Sequence, residues 1–117
     1  MDKRDFDLLV VGDLNVDIIL SGMAELPRPG TEALADGLDF RSGGSACNCA
    51  RAAARLGARV AFVGLAGTDS FGEFVLKALN ASGVNVDYVR RSSDVKTGVT
   101  VSLSLAADRA FATYLGS

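Results

Sequence analysis

A chain of 117 residues is one domain's worth of sequence, enough to bury a modest core. Hydrophobic residues make up 49% and charged residues 22%, which excludes disorder, and a formal charge of -2 gives no electrostatic reason to expect nucleic acid as a partner. No apolar stretch approaches the ~20 residues of a membrane span, and Met1-Asp2-Lys3-Arg4-Asp5 leads into a strand instead of the apolar core of a signal peptide, so a soluble chain without membrane contact is expected.

Phe6 to Val11 is an apolar run broken only by Asp7 and ended by Gly12, the pattern of a strand buried on both faces of a parallel sheet. Val16 to Leu20 resumes β-branched character after Asp13-Leu14-Asn15, until Pro27, Pro29 and Gly30 break the chain. Thr31 to Arg41 reads as extended and only patchily apolar, an exposed or one-sided sheet. Ser45 to Leu56 is rich in alanine and predicts a helix, with Gly57 in the left-handed position beyond its end.

Arg59 to Leu65 reads as a second buried strand. Ser70-Phe71-Gly72-Glu73 then has the spacing of a capping box for a second helix, whose apolar face is Phe71, Phe74, Val75, Ala78 and Leu79, ended by Gly83. Strand, helix, strand, helix, strand from Phe6 to Val89 predicts an α/β fold with a mostly parallel sheet. Beyond it, Val99, Val101, Leu103 and Leu105 alternate with polar residues as in a one-sided antiparallel strand, and Ala110 to Leu115 returns after a turn at 106–109. This hairpin and the segments at 16–20 and 33–40 are expected to form a small separate sheet.

Two glycines, Gly43 and Gly44, precede the first helix, where backbone can approach a ligand and unpaired N–H groups are available. Asp13, Asn15 and Asp17 alternate, so in an extended chain they share one face and could hold several hydroxyls of one ligand; turn chemistry is the equally simple alternative. Asn48, in the helix's first turns, is open to the same two readings, ligand contact or satisfaction of backbone groups. Cys47 and Cys49 point to different sides of the helix and there is no histidine, so reduced thiols in a cytosolic protein are expected, with no metal site. Gly67 to Gly72 has phosphate-loop spacing, but Glu73 and Phe74 stand where a lysine and a hydroxyl are needed, and Gly43-Gly44-Ser45 does not fit a dinucleotide fingerprint.

The run Gly43-Gly44-Ser45-Ala46-Cys47-Asn48-Cys49-Ala50, then six residues to Gly57 and nine to Gly67, resembles the first signature of the ribokinase-like (PfkB) carbohydrate kinases. Val11 to Asp17, Val63 to Gly72 and Thr97-Gly98-Val99 resemble further segments of that family in the same order. The resemblance implies a partial doubly wound core with a small β-sheet lid, the lid segments being approximately 14–42 and 96–115 of a single domain spanning 1–117. It implies ATP- and Mg2+-dependent transfer of a γ-phosphoryl group to the hydroxymethyl group of a sugar or nucleoside. By matching position, Asn15 and Asp17 would bind substrate hydroxyls, Gly43 and Gly44 would admit substrate and let the lid hinge, Asn48 would hold another hydroxyl, and Asp13 would be a lesser contact.

The family's second signature, D-T-x-G-A-G-D, which supplies the general base and a charge-stabilising helix start, has no match here, and Asp108 lacks the glycines to stand in for it. No catalytic residue is therefore assigned. The expectation is the substrate-binding, lid-bearing portion of a cytoplasmic sugar kinase, inactive alone as a fragment or half of a split enzyme. The alternative is a non-catalytic sugar-binding module, or a homodimer built through the lid sheet.

Overall fold

The structure, a computed structural model, describes residues 5–116. The charged start read at 1–4 lies outside them. In chain order the elements are β1 (Leu8–Val11), β2 (Asn15–Met23), β3 (Gly37–Gly43), α1 (Ser45–Arg55), β4 (Val60–Gly67), α2 (Ser70–Ala81), β5 (Val89–Ser92), β6 (Gly98–Leu105) and β7 (Arg109–Tyr114). The fold is α/β, with a parallel sheet ordered β1-β4-β5 and a mixed sheet ordered β3-β2-β6-β7.

The chain leaves the parallel sheet at the end of β1, makes β2 and β3 in the mixed sheet, and returns through α1 to β4. That excursion brings Asn15 and Gly43 opposite each other as register partners, with Gly98 of β6 on the other side of Asn15. One end row of the mixed sheet therefore sits beside the carboxyl end of β1 and the start of α1, the position where open α/β sheets take ligands.

The core joins both sheets. Val10, Val60 and Phe62 on one face of the parallel sheet pack with Ala50 of α1, Val75 and Leu79 of α2, and Val16 of β2. Each fully buried large side chain among them, such as Phe62, Leu79 and Val16, contributes roughly 1.5–3 kcal/mol of burial free energy. The mixed sheet rests on α2 through its apolar face, where Ile18 joins the core and the Phe40 and Phe74 rings meet edge to face with 6.4 Å between centroids.

Four local expectations are revised. β1 is not buried on both faces: Leu9 is 53% and Val11 73% exposed, because both helices cover the opposite, Val10 face. Residues 31–36 are irregular, and β3 begins at Gly37. β6 is antiparallel to β7 but parallel to β2, and its buried side chain is Ser102, flanked by the larger Ile19 and Phe111. The cap of α2 is Asp69, not Ser70, and Glu73 pairs with Arg91 at 3.1 Å instead of reaching back along the helix.

Candidate functional site

Asn15 and Asp17 lie on the same face of β2, as alternation requires. The Asn15 amide donates to Asp17 Oδ1 at 3.0 Å and to Thr100 Oγ1 of β6 at 3.3 Å, and the Thr100 and Thr113 hydroxyls lie 3.2 Å apart. The result is a row of acceptors and donors across three strands, Asp17, Asn15, Thr100 and Thr113, with no charge other than the one carboxylate.

This row faces the start of α1. Gly44 is the N-cap residue with φ 89° and ψ 148°, a backbone conformation open essentially to glycine, and no side chain caps the helix there. The first-turn N–H groups of α1 therefore remain available to a ligand. Gly43 is buried immediately behind Asp17, and a Cβ on it would fall on the Asp17 carboxylate. Between these parts lies a cleft of about 400 Å³, lined by Asp13, Asn15, Asp17, Gly44, Thr100 and Thr113 together with Val11, Gly12, Ser45 and Ala46.

Of the residues singled out in the sequence, Asp13, Asn15, Asp17 and Gly44 line this cleft and Gly43 backs it. Asn48 does not line it. Its Oδ1 accepts from Arg51 Nη2 at 2.6 Å, and it borders a second cleft with Arg41, Arg51 and Arg55. In the sequence Thr100 and Thr113 are only polar positions of alternating strands; the antiparallel β6–β7 register pairs them with each other, and the parallel β2–β6 register brings Thr100 opposite Asp17.

Beneath the cleft floor Cys47 is fully buried, its Sγ 3.7 Å from the Asp13 carbonyl. Burial pushes its thiol up to about 11, so it is a protonated packing group and not a nucleophile at neutral pH. Cys49 is free and exposed. Among the described residues no three His, Cys, Asp or Glu side chains converge to hold a cation.

A second polar cluster fixes β6 to the parallel sheet. Asp69 Oδ1 accepts from the Gly72 N–H at 2.8 Å and the Thr97 hydroxyl at 2.7 Å, and its Oδ2 accepts from the Thr97 N–H at 2.9 Å. Thr97 Oγ1 in turn accepts from the Gly67 N–H at 3.1 Å. Burial opposes the charge on Asp69, but the Thr97 and Gly72 N–H groups and the Thr97 hydroxyl outweigh it and hold the carboxyl below the usual carboxylate value. Thr97 therefore anchors the strand that carries Thr100.

The sequence matches the pfkB family of carbohydrate kinases over residues 5–117. The chain belongs to the PfkB family. Its PfkB relatives include ribokinase of Bacillus subtilis (strain 168), 30% identical over 111 residues, covering 95% of this chain and 38% of that protein. 5-Dehydro-2-deoxygluconokinase of Clostridium perfringens (strain 13 / Type A) is 32% identical over 105 residues, covering 88% of this chain and 28% of the relative. Among solved structures, Arabidopsis thaliana ribokinase complexed with ribose and ATP superposes with a TM-score of 0.87 at 30% identity, covering 97% of this chain and 37% of that one. This PfkB chain thus spans well under half the length of these carbohydrate-kinase relatives, and its mixed and parallel sheets are those of the ribokinase fold.

Proposed function

We propose that this chain is the sugar-binding portion of an ATP-dependent carbohydrate kinase, which transfers the γ-phosphoryl of ATP to a hydroxymethyl group of a sugar or nucleoside. The observation that carries the reading is the row Asp17, Asn15, Thr100 and Thr113 facing the uncapped start of α1 across a cleft of about 400 Å³. Such a row suits a neutral polyhydroxylated ligand: hydroxyls donate to the Asp17 carboxylate and accept from helix N–H groups. Structural relatives that include a ribokinase bound to ribose and ATP support it.

In this reading Asp17 and Asn15 hold two hydroxyls and Asp13 makes a lesser contact, while Asn48, which borders the neighbouring arginine cleft with its Oδ1 held by Arg51, takes none from its observed position. Gly43 and Gly44 give the space and the turn. The mixed sheet, residues 14–42 and 96–115, acts as a lid that excludes water, which would otherwise compete as phosphoryl acceptor. Among the described residues no group of His, Cys, Asp or Glu side chains is placed to hold the divalent ion that such a transfer uses. The 117-residue chain alone is inactive in this reading, because no D-T-x-G-A-G-D element occurs in it.

Isothermal titration of the chain with ribose and with fructose tests the reading. Saturable binding of at least one sugar, weakened roughly 10- to 100-fold in Asp17→Asn by loss of a charge-assisted bond, is expected. The absence of binding to any sugar, or ADP release from ATP by the chain alone, would overturn it.

A second reading is a sugar-binding module that dimerises through the mixed sheet. It is favoured by exposed apolar side chains on that sheet, Leu38 at 62% and Tyr114 at 56%. Sedimentation equilibrium separates the two: a monomer at all working concentrations excludes the dimer.

A further inference from the structure

Beyond the sugar cleft, positive charge is concentrated in a second cleft of about 450 Å³ lined by Arg41, Asn48, Arg51, Ala52 and Arg55. Arg51 and Arg55 are four residues apart on α1 and share a helix face, and Arg41 reaches the same space from β3. Like charges at that helical spacing destabilise the helix unless something neutralises them. Among the described residues only one carboxylate pairs with any of the three, Asp39 with Arg41 at 2.7 Å. Arg51 and Arg55 have none among those residues.

The arrangement is also fixed in place. Arg51 Nη2 donates to the Ser42 carbonyl at 3.1 Å and to Asn48 Oδ1 at 2.6 Å, so the guanidinium cannot swing out into water without breaking two bonds. Its Nε is buried with no partner, and so is Ser42 Oγ. The Nε is shut off from the cleft, so the Arg51 Nη groups are the ones that can face a ligand there. A guanidinium matches the geometry of a carboxylate or phosphate, both of which accept paired N–H bonds.

The cleft adjoins the sugar cleft. Arg41 is the register partner of Asp17, and the Asn48 N–H bonds to the Gly44 carbonyl at 3.0 Å, one turn of α1 from the sugar-facing Gly44.

We propose that Arg41, Arg51 and Arg55, with Asn48, form an anion subsite that takes a carboxylate or phosphate group. The group is either carried by the sugar, as in a sugar acid or sugar phosphate, or is a free anion. Only the first source rests on the sugar-binding reading.

Isothermal titration of the full chain at constant ionic strength tests the subsite, with inorganic phosphate in one arm and gluconate against glucose in the other. Saturable phosphate binding is expected, weakened roughly 10-fold or more in both Arg51→Gln and Arg55→Gln. Arg51→Lys should recover part of the loss by keeping the charge. Arg55 is exposed and its side chain has no hydrogen bond or ion pair among the described residues, so its variant reports binding even if the Arg51 variants fold poorly. A preference for gluconate over glucose that disappears in Arg55→Gln assigns the anion to the sugar; phosphate binding without that preference assigns it to a free ion. No saturable binding of phosphate or gluconate, or binding indifferent to Arg51→Gln and Arg55→Gln, would overturn the subsite. Phosphate binding in a chain that binds no neutral sugar would keep the subsite and remove the sugar reading, so the two fail separately.

Discussion

Asp17 occupies the space that a Cβ on Gly43 would need: both carboxylate oxygens and the Cγ fall on that position. Gly43 does not have a positive φ, so the backbone itself would accept alanine, and the obstacle is the carboxylate alone. Gly43→Ala is expected to push Asp17 out of the cleft and to lower sugar affinity roughly 10- to 100-fold, the range for a lost charge-assisted bond. Titration calorimetry measures it. Unchanged affinity would show that Asp17 does not bind from its observed position.

Gly44→Ala fails for the opposite reason. Its nearest neighbours, Asn15 Cβ and the Asp13 carbonyl, are 3.7 Å away, so a methyl group has room. The conformation, φ 89° and ψ 148°, is what an L side chain resists. The substitution should cost about 1–3 kcal/mol of stability, seen as a lower urea midpoint with unchanged m-value. A loss of sugar affinity without a loss of stability would mean that the residue acts by contact instead.

The two cysteines should differ sharply towards N-ethylmaleimide, because Cys49 is exposed and Cys47 is fully buried with its thiol at about 11. One thiol is expected to react in the native chain and two in urea, counted by mass spectrometry. The raised value of Cys47 also makes a pH prediction. A thiol whose folded value lies above the unfolded one near 9 stabilises the fold below about pH 9, and that contribution falls as pH rises towards 11. Cys47→Ala should lose this alkaline component.

What could be read from the sequence follows from what is local. The alanines of α1, the apolar face of α2 and the continuous run of β4 depend on neighbours within a few residues, and each element lies where periodicity puts it. Asn15 and Asp17 were also legible, since alternation along one strand fixes their common face. Thr100 and Thr113 were not. Their place in the row depends on β2 and β6 pairing in parallel across 85 residues of chain, and nothing in either segment encodes the partner. The same holds for Arg41, Arg51 and Arg55, which come from a strand and a helix face whose relative placement only packing decides. Asp69 and Ser70 are both good helix caps by type; the choice between them is made by Thr97, 28 residues away.

That choice yields the last prediction. Asp69 uses both of its oxygens, Oδ1 for Gly72 and the Thr97 hydroxyl and Oδ2 for the Thr97 N–H. Asparagine has the same shape but replaces one acceptor with an NH2 donor, so one of these groups must face a donor. Asp69→Asn should therefore cost roughly 1–3 kcal/mol at neutral pH, combining a weakened cap with an unmet N–H. The pH dependence separates this from a general packing defect. The folded carboxyl lies below its ordinary value of 3.8, so its contribution is complete above that pH and is lost as pH falls through the lower folded value. Urea melts of both proteins from neutral pH into the acid range should show the stability difference narrowing below pH 3.8. A constant difference down through that range would show that the Asp69 charge does not hold β6 in place, and the strand carrying Thr100 would need another anchor.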